Sequence, residues 1–168
     1  FIKWNPAVKS ETDKKGLWKA LLDDRIDVIA TDHAPHTLEE KNQIYTKAPS
    51  GGPLVQHGIL AMMEAVKQEK ISIEKVVEKM CHNPARLFKV EKRGFIKKGY
   101  FADLVLIDAE KTQTVGKENI LYKCGWSPFE GTLFKSKVTH TFVGGHLAYK
   151  DGKLDDSVLG TRLVFDRD

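Results

Sequence analysis

Cysteines are scarce in this chain, and long apolar runs and a strong charge imbalance are missing. Of its 168 residues only Cys81 and Cys124 are cysteines, too few for a disulfide scaffold, and this favours a reduced, cytoplasmic protein. No stretch approaches the ~20 consecutive apolar residues of a membrane span, and no signal peptide is predicted. Because the formal net charge is only +4 and basic residues alternate with acidic ones, neither nucleic acid nor a membrane is expected as a partner.

What remains is the composition of an ordinary globular protein. Apolar residues make up 41% and charged residues 30% of the chain, which suits one domain with a smaller annex. The first residue is Phe1 rather than Met, and the sequence opens in what reads as the end of a strand. We therefore expect that the polypeptide was cut or that it is the end of a longer protein.

The beginning of the chain predicts a βαβ unit. Ile2–Trp4 reads as the end of one strand, Ser10 as the N-cap of a helix, and Ile26–Ala30 as a second, buried strand. Strands joined by a helix in this way are parallel. Their carboxyl ends lie at one edge of the sheet, so Asn5 and Asp32 can face one pocket.

A long loop and further helices are predicted next. Residues 37–56 have little periodicity, and a loop of this length beside a reactive strand end is usually functional. Gln56–Gln68 and the segment that follows Ser72 both have apolar residues at helical spacing. The Asn-Pro pair at 83–84 predicts an N-cap and a first helical position for a short helix over residues 85–88.

The sequence becomes rich in glycine and β-branched residues after residue 90. Four segments separated by glycines predict short strands: Gly94–Gly99, Asp103–Asp108, Val138–Val143 and His146–Tyr149. The Asp-Gly pair at 151–152 is typical of a hairpin turn. We therefore predict two domains, an α/β domain over residues 1–90 and a β-rich domain over residues 91–168.

The polar segment after the second predicted strand carries the strongest candidates for chemistry. The carboxylate of Asp32 can ligate a divalent metal and take a proton from metal-bound water, although a turn or N-cap role is the alternative. His36 can ligate a metal or bind an anionic substrate, or it is a surface histidine. His33 is expected to have a supporting role, and Glu40 and Lys41 to form an ion pair that steadies the loop.

Three further residues are weaker candidates for substrate binding. Asn5 can donate an amide hydrogen bond to a substrate carbonyl or carboxylate, or can simply form an Asn-Pro turn. Ser50 and Gly51 can offer backbone N–H groups to an anion, or can simply form a turn. The histidines at 57, 82, 140 and 146 are assigned no chemistry, and both cysteines are expected in the core.

Several of these segments resemble the dihydroorotase family. Residues 31–36, followed by Glu40 and Lys41, resemble its Asp-x-Ala-Pro-His motif with a lysine five positions beyond. Residues 3–6 resemble its Lys-x-Asn-Pro-Pro stretch, and residues 124–131 also look dihydroorotase-like. Residues 94–105 resemble the stretch that leads the wider amidohydrolase superfamily into its small β-sandwich. The resemblance covers essentially the whole chain.

The resemblance implies an α/β fold made of the last strands and helices of a (β/α)₈ barrel, followed by part of a small β-sandwich. In this family one or two zinc ions activate a hydroxide for the reversible cyclisation of N-carbamoyl-L-aspartate to L-dihydroorotate in de novo pyrimidine biosynthesis. By resemblance, Asp32 ligates zinc and carries the proton, whereas Asn5 and His36 hold the substrate. Ser50 and Gly51 lie in the loop that closes over it. A homodimer is left open.

The chain also departs from the family. Its His-x-His pair and its other metal ligands are absent, and Ala7 stands where a second proline is more usual. A full barrel needs ~250 residues, and only about 90 precede the predicted sandwich. We expect the N-terminal part of the same protein to supply the missing ligands, and this fragment alone to retain no zinc and to be inactive.

Two other functions remain open. One is another cyclic amidohydrolase, such as a dihydropyrimidinase or allantoinase. The Ala-Pro-His sequence after Asp32 argues against this alternative. The other is a non-catalytic dihydroorotase-like subunit that scaffolds an aspartate transcarbamoylase. The presence of Asp32, His36 and Asn5 argues against this second alternative.

Overall fold

The computed structural model describes residues 3–166. Helices occupy the first half: α1 (Glu11–Leu22), α2 (Leu38–Lys41), α3 (Gly58–Lys67), α4 (Ile73–Val77) and α5 (Asn83–Leu87), with a π-helical turn (Glu78–His82) joining the last two. Strands occupy the second half: β1 (Leu104–Asp108), β2 (Gln113–Thr114), β3 (Leu133–Phe134), β4 (Lys137–Val143), β5 (His146–Lys150) and β6 (Lys153–Leu154).

The starts of α1 and α4 were correctly predicted from their caps. Ser10 Oγ accepts the Asp13 N–H at 3.3 Å, and Asp13 Oδ2 accepts the Ser10 N–H at 3.0 Å, which makes a reciprocal capping box. Ser72 Oγ caps α4 by accepting the Lys75 N–H at 3.2 Å. Both caps are local in sequence, and this is why the sequence alone locates them.

The short helix predicted over residues 85–88 is confirmed as α5, but the N-cap role predicted for Asn83 was wrong. Asn83 has helical backbone angles (φ −66°, ψ −42°), so α4, the π-helical turn and α5 form one continuous helical run. Its side chain does not cap a helix. Instead, Asn83 Nδ2 donates a 2.9 Å hydrogen bond to the carbonyl of Asp27.

The strand predicted over Ile26–Ala30 was also wrong, because these residues form no strand ladder within residues 3–166. Their polar backbone groups bind the helical run instead. The Ile26 carbonyl accepts from Lys79 Nζ at 2.5 Å, and the Ile29 N–H donates to the Lys79 carbonyl at 3.1 Å. Lys79 is buried and also pairs with Asp24 at 2.9 Å. A helix thus satisfies groups that a neighbouring strand was expected to satisfy.

The first predicted strand lies partly outside the described residues. Phe1 and Ile2 fall outside them, and Lys3 and Trp4 belong to no strand. The described residues therefore give no support to the βαβ unit as a ladder of paired strands.

The second half contains a four-stranded antiparallel sheet in the order β1-β4-β5-β6 and a separate β2-β3 pair. The hairpin predicted at Asp151 and Gly152 was confirmed, with φ values of 45° and 92°. Positive φ at both central residues is the geometry of a type I′ turn. Three predicted strands correspond to β1, β4 and β5. The strand predicted over Gly94–Gly99 was wrong, because both end glycines adopt positive φ and the segment turns.

Helix α3 contributes to two hydrophobic cores. The first core contains Leu21, Ala65, Ile71 and Val76, all from the helical half. The second is built from Leu60 of α3 together with Val115 and Phe134 of the strand-rich half. The two halves therefore share a core, and the domain boundary near residue 90 stays a prediction.

Two smaller findings complete the fold. Cys81 is exposed and Cys124 is half-buried, so the prediction that both are core residues was wrong. In the described range 3–166, none of the helices has the length and apolar character that crossing a membrane requires.

Candidate active site

Asp32 has the most unusual backbone of the predicted site residues. Its φ is 46°, in the left-handed region that residues with a Cβ rarely adopt. Its side chain is exposed and forms no hydrogen bond or ion pair with any part of the chain from 3 to 166. Strain of this kind costs about 1–3 kcal/mol and persists only where the surroundings impose it. The carboxylate is therefore available to bind a ligand.

The residues directly after Asp32 hold it in this conformation. His33 Nδ1 accepts the Leu54 N–H at 3.0 Å, and the Ala34 N–H donates to the Gly52 carbonyl at 3.1 Å. These contacts form a short parallel bridge between the Asp32 segment and the loop of residues 42–57. The imidazole of His33 thus supports the backbone, in agreement with the role expected for it.

His36 is half-buried and is held from two sides. Its Nδ1 lies 3.7 Å from Glu40 Oε2, and its backbone carbonyl accepts a 2.7 Å hydrogen bond from Trp126 Nε1. Glu40 is fixed in turn, because its carboxylate accepts the Thr37 N–H at 2.8 Å in the capping box of α2. The imidazole is therefore positioned beside one carboxylate near the surface.

The ion pair predicted between Glu40 and Lys41 was wrong. Lys41 is only 2% exposed, and its Nζ donates to the carbonyls of Pro49 and Gly51 at 2.8 Å each and of Lys3 at 3.3 Å. Burial, and secondarily the nearby Lys3 ammonium, lower the pKa of Lys41. Within residues 3–166 no carboxylate lies within ion-pair distance of the Lys41 ammonium. Backbone carbonyls are therefore its polar partners.

Ser50 and Gly51 lie at the centre of this network. Gly51 is buried with a φ of 98°, and its N–H donates to the Lys3 carbonyl at 2.9 Å. A Cβ at Gly51 would lie 2.6 Å from Ala34 Cβ, so only glycine fits there. Ser50 is half-buried and forms no hydrogen bond with the described residues. Of the two N–H groups considered for anion binding, that of Ser50 is the one left open.

The segments next to Asn5 and Asp32 lie around one cavity. A cavity of about 1140 Å³ lies between α1, residues 6–10 and residues 26–30. Asn5 directly precedes one of these segments and Asp32 follows the other, yet neither lines the cavity. Asn5 is exposed, and its role stays a prediction.

A buried cluster around His57 was missed by the sequence analysis. His57 is fully buried, and its Nδ1 lies 3.1 Å from Ser127 Oγ and 3.3 Å from the Tyr122 hydroxyl. Burial lowers the pKa of this histidine, and its Nε2 has no hydrogen-bond partner among residues 3–166. A histidine at the start of a helix has no sequence signal for burial, because its partners lie more than sixty positions away.

The described residues do not provide a complete metal site. No group of three His, Cys, Asp or Glu side chains within residues 3–166 is placed to hold a metal ion. Catalytic zinc is typically held by three protein ligands, and the predicted ligand Asp32 supplies one. The donor set here therefore fits a single contribution to a metal site and not the whole of it.

Comparison with known proteins gives consistent results. The chain is 35% identical over 164 residues to the dihydroorotase of Pyrococcus furiosus, and 39% identical over 150 residues to that of Clostridium acetobutylicum. These matches cover 98% and 89% of this chain but only 38% and 35% of the relatives. The chain thus spans between a third and two fifths of the length of these curated relatives.

Solved structures support the fold. A D-hydantoinase (dihydropyrimidinase) from Thermus sp. matches with a TM-score of 0.84 at 26% identity, over 92% of this chain and 35% of that one. This likeness confirms the expected fold class, part of an amidohydrolase barrel followed by part of a small β-sandwich. The model of the "Amidohydrolase family" matches residues 6–148. Because that match includes most of the sequence, the chain belongs to the amidohydrolase family.

Proposed function

We propose that this chain is the part of a zinc-dependent dihydroorotase that contains the proton-carrying aspartate. The reaction is the reversible cyclisation of N-carbamoyl-L-aspartate to L-dihydroorotate in de novo pyrimidine biosynthesis. The relatives named dihydroorotase, at 35% and 39% identity, support this proposal.

One structural observation carries the proposal. Asp32 is held in a left-handed conformation by its neighbours, while its carboxylate is exposed and unused by the described residues. Strained backbone conformations cluster at active sites, and this one lies four positions before His36 in the candidate segment. A turn or N-cap aspartate would instead bind a nearby backbone N–H.

The other residues have binding roles in this proposal. The imidazole of His36 and the amide of Asn5 bind the carboxylate end of the substrate, and Ser50 contributes a hydrogen bond from the loop above it. Gly51 allows the loop to turn through its positive φ. Its own N–H is not available to the substrate, because it donates to the Lys3 carbonyl. Asp32 accepts a proton from the attacking water and passes it to the leaving ring nitrogen in the direction of hydrolysis.

Members of the amidohydrolase family are generally metal-dependent. Zinc, when bound, polarises the substrate carbonyl and activates water. We propose one or two zinc ions, with Asp32 as one ligand and the remaining ligands from the N-terminal part of the same protein. For the same reason, we expect residues 1–168 alone to retain no zinc and to be inactive. We further propose a cytoplasmic location and leave a homodimer open.

The test is to change Asp32 in the intact protein. Asp32→Asn keeps the size of the side chain but removes the proton acceptor, and it should lower kcat for dihydroorotate by about 10²–10⁴-fold. Asp27→Asn is the matched control, because Asp27 is also exposed on the same segment and its side chain forms no hydrogen bond or ion pair with residues 3–166. A loss of only a few-fold in Asp32→Asn would refute the catalytic assignment.

A second candidate is a hydantoinase or dihydropyrimidinase activity. The observation in its favour is the structural likeness to the Thermus enzyme. Its sequence identity of 26% is lower than the 35% and 39% to the dihydroorotases. Assaying hydantoin, dihydrouracil and dihydroorotate with the same preparation of intact protein decides between the two, since the proposal requires dihydroorotate to have the highest kcat/KM.

A further inference from the structure

The ammonium of Lys41 binds the backbone on both sides of Ser50. It donates to the carbonyl before this serine, at Pro49, and to the carbonyl after it, at Gly51, with 2.8 Å in both cases. Ser50 itself makes no hydrogen bond within the described part of the chain. One buried cation thus fixes the Pro49–Ser50 peptide unit and the carbonyl of Gly51. The peptide unit between Ser50 and Gly51 is held by the Gly51 N–H, which donates to the Lys3 carbonyl at 2.9 Å.

The chemistry of the lysine side chain matches this arrangement. An ammonium has three N–H donors, and the third one binds the Lys3 carbonyl at 3.3 Å. An apolar side chain would remove this donor from the carbonyls of Pro49 and Gly51, whereas the Lys3 carbonyl would still accept the Gly51 N–H at 2.9 Å. The three contacts use the three N–H donors of one ammonium.

A second lysine extends the network along the same loop. Lys3 Nζ donates to the carbonyls of Tyr45 and Ala48 at 2.8 Å and 2.7 Å. The loop is thus held at four carbonyls between residues 45 and 51 by two ammonium groups. Within residues 3–166 neither ammonium forms an ion pair with a carboxylate, so backbone carbonyls are their hydrogen-bond partners.

We infer that Lys41 is a positioning residue for substrate binding: it holds the Pro49–Ser50 peptide unit and the Gly51 carbonyl so that the N–H and hydroxyl of Ser50 meet an anionic group of the substrate. The inference rests on the proposed function and deepens it. Lys41 does not touch the substrate, and its effect passes through Ser50.

The test uses the intact protein and measures KM and kcat for N-carbamoyl-L-aspartate separately. Lys41→Met should raise KM by about tenfold to a hundredfold, the scale of loss when a binding group is displaced by about an ångström. A merely structural lysine would lower the folded fraction, and with it kcat per mole of protein, while KM stays constant. Lys47→Met is the matched control, because Lys47 lies in the same loop with an exposed side chain.

A double-mutant cycle tests whether the effect passes through Ser50. If it does, Lys41→Met should raise KM far less in a Ser50→Ala background than in the wild type. Where Lys41→Met is not recovered folded, Lys41→Arg takes its place. The planar guanidinium cannot reach the three carbonyls with the same geometry, and it should also raise KM.

The outcomes separate the two claims. An active wild type whose Lys41 variants keep the wild-type KM would overturn the role of Lys41 alone, and so would equal effects with and without Ser50. A wild-type protein without activity on N-carbamoyl-L-aspartate and dihydroorotate would overturn the proposed function, and the inference with it.

Discussion

The indole N–H of Trp126 donates a 2.7 Å hydrogen bond to the backbone carbonyl of His36, ninety positions earlier in the chain. The same indole ring lies against Gly52, where a Cβ would come within 3.0 Å of it. Trp126, from the strand-rich half of the chain, therefore contacts two segments of the candidate site, at His36 and at Gly52. A substitution there should disturb the site without touching the proposed catalytic aspartate.

The first prediction concerns this hydrogen bond. Trp126→Phe removes the donor but keeps an aromatic ring, and it should lower the free energy of unfolding by about 1 kcal/mol or more, because the His36 carbonyl loses its partner. Hydrogen exchange should also become faster for amides near residues 34–38. Trp18→Phe is the control, because Trp18 packs against the other core and should leave that exchange unchanged. Unaltered exchange in Trp126→Phe would contradict the prediction.

The second prediction concerns Gly51. Gly51→Ala places a side chain in a left-handed conformation and brings its Cβ to 2.6 Å from that of Ala34. The conformation alone costs about 1–2 kcal/mol, and the clash adds to it, so urea unfolding should show a clear loss of stability.

A second glycine provides the control for Gly51→Ala. Gly16 lies within α1, and a Cβ there would meet no atom within 4 Å. Gly16→Ala should therefore stabilise the protein by about 0.5–1 kcal/mol, the helix preference of alanine over glycine. Equal effects of the two substitutions would mean that the turn at Gly51 is not constrained as described.

The third prediction concerns pH. Burial lowers the pKa of His57 in the folded state below its ordinary value of 6.5, so the unfolded chain takes up a proton first as the pH falls. The contribution of His57 to stability is therefore complete above about pH 6.5 and is lost as the pH drops towards the folded-state pKa. Urea unfolding between about pH 5 and 7.5 should show this decline.

The variant His57→Gln isolates this contribution. Glutamine can keep a hydrogen bond to Ser127 or Tyr122 but cannot titrate, so the stability of the variant should fall less steeply with decreasing pH than that of the wild type. Parallel pH dependences in wild type and variant would assign the decline to groups other than His57.

Local structure could be predicted well from the sequence, because its causes lie within a few positions. The capping box at Ser10 needs only Asp13, and the turn at residues 151–152 needs only an Asp-Gly pair between strands. The candidate site was predicted in the same way, since Asp32, His33 and His36 follow one another in a single short segment. Their catalytic and binding roles stay predictions.

The failures arose where distant backbone decided the outcome. The segment Ile26–Ala30 has the apolar pattern of a strand, but Lys79 and Asn83 of a later helix bind its carbonyls. The pairing of Glu40 with Lys41 is equally reasonable from sequence. Glu40 instead caps its own helix, and Lys41 turns inward. In both cases a buried lysine donates hydrogen bonds to backbone carbonyls, and no local sequence pattern predicts these contacts.

The order of side chains along the chain by itself determined the starts of α1 and α4, the hairpin turn and the grouping of Asp32 with two histidines, because each depends on neighbours in sequence. Only the tertiary structure decided that the Lys41 ammonium donates hydrogen bonds to the carbonyls of Pro49 and Gly51. The same holds for the hydrogen bond from Trp126 to the His36 carbonyl. A buried polar group must bind whatever remote group the fold brings to it, and the identity of that group is a property of the packed chain.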